Sequence, residues 1–207
     1  MQRICIISAA WTLYTRHIAG LDDQLVDAGR RAFGRFGYHG ATAERIAEEA
    51  GLSRVTLHRR GVSKELILEA LSERAVEAYR AALWPALTAS GSGRERLEQA
   101  LHALCGVAEE HLELLLALRA QSDRIFHEDA EEEALTRTVF TEPLERLLRD
   151  GAADGSLRPV DAQETATVLF NLVGWTYIHL RTGHRWPPER SRAVIQVAVE
   201  GLAGGQE

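Results

Sequence analysis

The chain has 207 residues, 45% hydrophobic and 26% charged, with 24 Lys+Arg against 30 Asp+Glu and a formal net charge of −6. That length holds one or two compact units with a substantial core, and that composition excludes a disordered or collagenous chain. The acidic balance argues against a uniformly basic nucleic-acid coat.

Residues 1–20 read as an N-terminal extension. An apolar run from Ile4 to Ala9 follows Arg3, but Thr12, Thr15 and Arg16 interrupt it, and no small-x-small cleavage site follows. No other stretch reaches the roughly 20 uncharged apolar residues of a membrane span. Cys5 and Cys105 are too few for a disulfide framework and too far apart for a zinc knuckle. A soluble, cytoplasmic protein with free thiols and no membrane partner is expected.

After Gly20 the pattern is helical, with no period-2 alternation between turn dipeptides. Asp22 or Asp23 caps a first helix to about Phe36, whose apolar face is Leu25, Ala28, Ala32, Phe33 and Phe36, and Gly37 ends it. Thr42 caps a short second helix carrying Ile46, Ala47 and Ala50 inward, which stops at Gly51. Ser53 caps a third, about Arg54 to Arg60, ended by Gly61. Ser63 caps a fourth, from Lys64 to about Trp84, where Pro85 is expected to break it.

Residues 42–64, TAERIAEEAGLSRVTLHRRGVSK, have the organisation of a helix-turn-helix. Ala47 permits close crossing, Gly51 permits the sharp turn, and Ile46, Ala50, Leu52 and Leu57 fill the wedge. At 100° per residue, an inward Leu57 puts Val55 and Arg59 on the opposite face. Thr56 and His58 fall on the flanks and Arg54 between flank and core. That face offers a methyl-reading surface, donors and a guanidinium, the chemistry of major-groove readout. Thr42, Ser53 and Lys64, the only lysine, stand at helix N-termini, where phosphate is favoured. A tight three-helix corner with solvated arginines is the plainer alternative.

Past the Ser90–Gly93 linker the expected helices are 94–110, 111–124, 129–150, 161–183 and 188–202, with the acidic run Glu131–Glu133 on a solvated face. The segment 166–180 is apolar nearly all round and needs partners on every side. A homodimer seam is therefore expected through Phe170, Gly174, Tyr177, Val194, Val197 and Gly201. Trp84, His102, Cys105, Phe126, Trp175, Tyr177 and His179 are the candidates for lining a ligand pocket. His102, Cys105 and Glu109 share a helix face, but no second thiol stands near Cys105, so no metal site and no cofactor are expected. No nucleophile–base pair or phosphate-binding glycine loop is present, so no enzymatic activity is expected.

The run GYHGATAERIAEEAGLSRVTLHRRGVSKELILEAL resembles the DNA-binding domain of TetR/AcrR-type transcriptional regulators, over about residues 21–70. The shared features are the glycine–aromatic start, the Thr-capped second helix, the I-A-x-x-A-G-(V/L)-S core, the T-L pair and the closing Ser-Lys. The resemblance implies a homodimer on a palindromic double-stranded DNA operator, released when a small-molecule effector enters the C-terminal domain. It places Thr42, Thr56 and Lys64 at phosphate-contact positions and Arg54, Val55, His58 and Arg59 at base-facing ones. His58, Arg60 and Gly61 stand where the family has aromatics. Either Phe33 or Phe36 braces the recognition helix instead, or operator affinity is modest.

The expected fold is all-α: a three-helix helix-turn-helix domain over 21–66 and a helical-bundle ligand-binding and dimerisation domain over 67–207. Residues 1–65 carry 10 basic and 7 acidic side chains, net +3, and residues 66–207 carry 14 and 23, net −9. The acidity thus belongs to the C-terminal part and leaves the N-terminal face for a duplex. A helical ligand-binding or scaffolding dimer without DNA affinity, or a small helical enzyme or metal protein using the His102 region, are the alternatives.

Overall fold

The structure, a computed structural model, describes residues 21–120 and 137–204. The 1–20 extension, Phe126 and the acidic run 131–133 lie outside the described residues. The described elements are helical, with a single isolated bridge between Leu157 and Ala203. Among them, no helix is long and apolar enough to cross a membrane.

The chain forms two compact units. One comprises residues 21–74 with 113–120, the other 75–112 with 137–204. In the first, α1 (Asp23–Gly40) is capped by Asp22, which accepts from the Gln24 N–H at 2.9 Å. Leu25, Ala28, Ala32 and Phe33 are buried as their spacing predicts, and Phe36 is half-buried. Gly37, at φ +67°, interrupts the helical path, and Tyr38 turns back against Phe33 with ring centroids 5.5 Å apart.

α2 (Ala43–Glu49) and α3 (Arg54–Arg59) each end in the same way. Beyond α2, Gly51 at φ +66° lets its N–H reach the Glu48 carbonyl while the Leu52 N–H reaches Ala47. Beyond α3, Gly61 at φ +68° sends its N–H to His58 and the Val62 N–H to Leu57. Both are Schellman closures, which need a left-handed residue at that position. Gly61 is therefore part of the stop signal of α3.

The helix α4 (Lys64–Thr88) differs from expectation, because it passes through Pro85. The proline forfeits only its own N–H bond, one turn from the end, while Leu83 and Ala86 on either side are buried.

In the second unit, α5 (Gly93–Glu110), α7 (Glu142–Ala153) and α8 (Ala162–Thr182) pack against one another, with Leu97, Leu101, Leu144, Leu147 and Leu148 fully buried. The N-terminus of α5 carries a Ser92/Glu95 capping box. It is also fixed by Asp154 and Ser156, which accept from the Gly93 and Arg94 N–H groups at 2.7 and 3.1 Å. A Cβ on Gly93 would stand 2.2 Å from the Gly151 nitrogen, so the two backbones cross without side chains between them. A short α6 (Leu112–Ala120) follows α5, and a π-helical turn (Arg137–Thr141) precedes α7.

The expected 188–202 helix is two, α9 (Pro188–Ser191) and α10 (Ala193–Glu200), because the chain tightens at Arg192, whose carbonyl accepts from Ile195. α8 is also less enclosed than its composition suggests. Ala166, Leu169, Val173 and Tyr177 are buried, whereas Val168 and Leu172 are 55% and 42% exposed.

The two kinds of glycine separate experimentally. Gly51→Ala has open space around the new methyl but a left-handed backbone, and should cost about 1–2 kcal/mol in denaturant unfolding. Gly93→Ala collides with backbone and should cost more, about 3 kcal/mol or above. Equal effects would show that backbone conformation, not helix crossing, governs both.

Candidate nucleic-acid interface

Helix α3 is held by one anchored residue. Leu57 is 2% exposed, and Ile46 and Ala47 of α2 beneath it are equally buried. Opposite, Val55 is 76% exposed. His58 and Arg59 are exposed with it, and Thr56 is half-buried. Ser53 caps the helix by accepting from the Thr56 N–H at 3.1 Å, and the two hydroxyls lie 2.9 Å apart. Thr42 caps α2, and Ser63 caps α4 by accepting from Leu66.

The cations of this unit divide into two sets. Arg31 and Arg35 are tied to Glu49 at 3.3 and 3.4 Å, Arg30 pairs with Glu113 at 3.6 Å, and Arg74 holds Asp23. Arg45 donates to the Gly40 carbonyl and stacks on Phe36, its guanidinium 4.4 Å from the ring centroid. Arg59 and Arg60 have no acidic partner among the described residues. Lys64 has its ammonium 4.4 Å above the Tyr38 ring, and the Tyr38 hydroxyl donates to Glu65. Unpaired positive charge is thus gathered at the end of α3 and the start of α4.

Arg54 departs from expectation. It lies out on the surface instead of between flank and core, 2.9 Å from Glu44 of α2. The Glu44 carboxyl is held below the usual carboxylate range by its own backbone N–H, then by the Thr42 hydroxyl and by Arg54. It therefore occupies part of the anion-attracting end of α2. The Glu44–Arg54 pair joins residues ten positions apart across the turn, and no local spacing rule reveals it. Tyr38 was likewise absent from the sequence candidates, although an aromatic directly after the helix-ending Gly37 marked it.

The C-terminal candidates are dispersed. Trp84 is 65% exposed, and Trp175 is half-buried. His102 lines an open groove of about 480 Å³ with Arg94, Glu98, Glu189 and Arg192. His179 sits at the end of α8, edge-on to His184. Cys105 is fully buried, and burial pushes its thiol up to about 12. Among the described residues no three His, Cys, Asp or Glu side chains stand close enough to hold a metal. Tyr177 is fully buried and donates to Glu109 at 2.9 Å, while Arg181 grips the same carboxylate through two nitrogens at 2.6 and 2.7 Å. Arg181 first, and Tyr177 after it, hold Glu109 below the ordinary carboxylate range. Of the seam candidates, Gly174, Tyr177 and Val194 are buried within the protomer, Phe170 stacks on Phe140, and Gly201 and Val197 are exposed.

Comparison with known proteins agrees with this geometry. The profile of "Bacterial regulatory proteins, tetR family" matches residues 25–71, and that of "Tetracyclin repressor-like, C-terminal domain" matches residues 90–202. No curated protein matches the sequence. A solved transcriptional regulator from Saccharomonospora viridis, in complex with choline, is 24% identical over 88% of this chain and 97% of its own, with a TM-score of 0.71. A TetR family regulator from Thermus thermophilus is 24% identical over 90% of this chain and 100% of its own, at 0.65. A ketosteroid transcriptional regulator of Mycobacterium tuberculosis is 16% identical over 90% and 98%, at 0.70. At these identities the solved structures share the fold.

The Glu109 clamp yields a pH test. Its depressed pKa means that the clamp stabilises the fold above the ordinary carboxylate range and loses that contribution as pH falls through the folded value. Arg181→Gln should cost about 1–2 kcal/mol at pH 7, given the partial exposure of the pair. The gap in melting temperature should narrow as the pH is lowered through the carboxylate range. A gap independent of pH would mean that Arg181 acts through packing alone.

Proposed function

Because the chain belongs to the tetR family of bacterial regulatory proteins, we propose that this transcriptional regulator acts as a homodimeric repressor, seated on a palindromic operator and released by a small-molecule effector. Arg54, Val55, His58 and Arg59 face bases in the major groove. Thr42, Ser53, Thr56 and Lys64 meet phosphates on either side. The observation that carries this reading is the split of α3 into one buried anchor, Leu57, and an exposed face holding Val55 and the unpaired Arg59. An apolar side chain beside unneutralised cations is the combination that major-groove readout uses. Arg60 adds to the same charge.

A second copy of the chain covers Val168 and Leu172 on α8 and Val197 on α10, which are 55%, 42% and 69% exposed in the isolated protomer. The residues buried inside the protomer support that seam from behind. Two recognition helices then stand about 34–36 Å apart, one turn of duplex. An effector taken up by the C-terminal unit prefers an arrangement in which α4 swings and that spacing changes. The Saccharomonospora protein, which holds choline, supports a small organic molecule as the kind of effector.

Selection on random duplex DNA should enrich a palindrome with half-sites one helical turn apart. On that operator Arg59→Ala should cost about 1–3 kcal/mol and relax preference at one base pair per half-site. Lys64→Ala should weaken all sequences alike and reduce the salt slope by about one. No enrichment, or an unaltered Arg59→Ala, overturns the DNA assignment. For the seam, Leu172→Glu should halve the mass measured by sedimentation, and a dimer of unchanged mass places the interface elsewhere.

A further inference from the structure

Three tyrosines are buried in the described residues, and two of them have acceptors. Tyr38 donates to Glu65 and Tyr177 to Glu109. Tyr79 of α4 is 1% exposed, and its hydroxyl has no hydrogen-bond partner among the described residues. Burial pushes its pKa far above the ordinary phenol value, so the group is a neutral donor throughout the physiological range. A buried donor left unsatisfied costs stability, and phenylalanine would fill the same space without that cost.

Tyr79 stands at one end of a run of three aromatic rings. Its ring lies 4.8 Å from that of Phe140, tilted by 40°, and Phe140 stacks on Phe170 at 4.9 Å. Phe140 is carried by the π-helical turn Arg137–Thr141, a widened turn of the kind that recurs at functional sites. A trapped water needs two or more polar partners, and rings supply none. No cationic side chain lies over them among the described residues, and a charged acceptor would be desolvated there without compensation.

We propose that the Tyr79 hydroxyl is the hydrogen-bond donor of a binding subsite walled by Phe140 and Phe170, which takes an apolar molecule bearing an uncharged acceptor such as a carbonyl. As the effector subsite it rests on the reading that the C-terminal unit takes the releasing ligand. The donor selects the carbonyl, and the rings select the apolar body.

Three probes of one scaffold test it by calorimetry on the full chain: acetophenone, ethylbenzene and benzoate. Acetophenone should bind about tenfold more tightly than ethylbenzene, the ratio of one added hydrogen bond, and more tightly than benzoate. Tyr79→Phe should erase the preference for acetophenone, leave ethylbenzene unchanged, and melt at the same temperature or higher. The proposal is overturned if the variant keeps the preference, if benzoate binds best, or if acetophenone does not bind. A lower melting temperature would equally reveal a structural acceptor for Tyr79. A mobility-shift assay on the selected operator separates this proposal from the reading beneath it. Acetophenone bound through Tyr79 with DNA retained leaves the subsite standing and ends its role in release. Release by acetophenone that Tyr79→Phe does not alter leaves the effector reading standing and removes the subsite.

Discussion

The helix proposed to address DNA, α3, is six residues long, too short to hold its own shape in water, so its orientation depends on what closes its two ends. Ser53 closes the first by accepting from the Thr56 N–H. Gly61 closes the second through the paired bonds to His58 and Leu57, which its left-handed backbone permits. Between them only Leu57 reaches the core, and it sits on a platform made by the same device one helix earlier, where Gly51 ends α2. Two glycines and two hydroxyls thus fix the direction in which Val55 and Arg59 point. A β-branched or aromatic residue at position 61 would trade this closure for packing. The chain takes the closure, while Tyr38 and Phe33 of α1 pack on each other.

Charge follows the same economy of placement. Arg30, Arg31, Arg35 and Arg74 of the N-terminal unit are neutralised at once by Glu113, Glu49 or Asp23, and such exposed pairs contribute little to stability. They also contribute little attraction to a polyanion, because their fields are cancelled within a few ångströms. The useful charge is what remains: Arg59, Arg60 and Lys64. Glu44 works against it, holding Arg54 and sharing the Thr42 hydroxyl. A net +3 over residues 1–65 therefore overstates how evenly the surface attracts DNA and understates how sharply the attraction is focused.

These local devices made the N-terminal unit readable. Caps, stop glycines and the Leu57 register are decided within four or five residues, and Thr42, Ser53, Ser63, Gly37, Gly51 and Gly61 all act where their spacing said they would. Wherever long-range packing decides, the sequence misled. Pro85 does not end α4, because the helix had one turn left and buried neighbours to hold it. Composition made α8 look enclosed, but composition cannot say which of its valines and leucines lack a neighbour, and Val168 and Leu172 do. The Glu44–Arg54 and Glu109–Arg181 pairs join segments that only the folded chain brings together.

The ligand candidates show why residue type alone was a poor guide in the C-terminal unit. Tyr177 and Tyr79 are both buried aromatics on helices, and the sequence favoured Tyr177. Its hydroxyl, however, is committed: it donates to Glu109, which Arg181 grips from the other side, so every group in that clamp is satisfied and belongs to the fold. A ligand entering there would have to replace bonds already made. Tyr79 offers the reverse situation, a donor whose bond has not been made and whose aromatic neighbours cannot make it. The hydrogen-bond account of the buried tyrosine hydroxyls separates those that hold the protein together, Tyr38 and Tyr177, from Tyr79, which has no acceptor among the described residues.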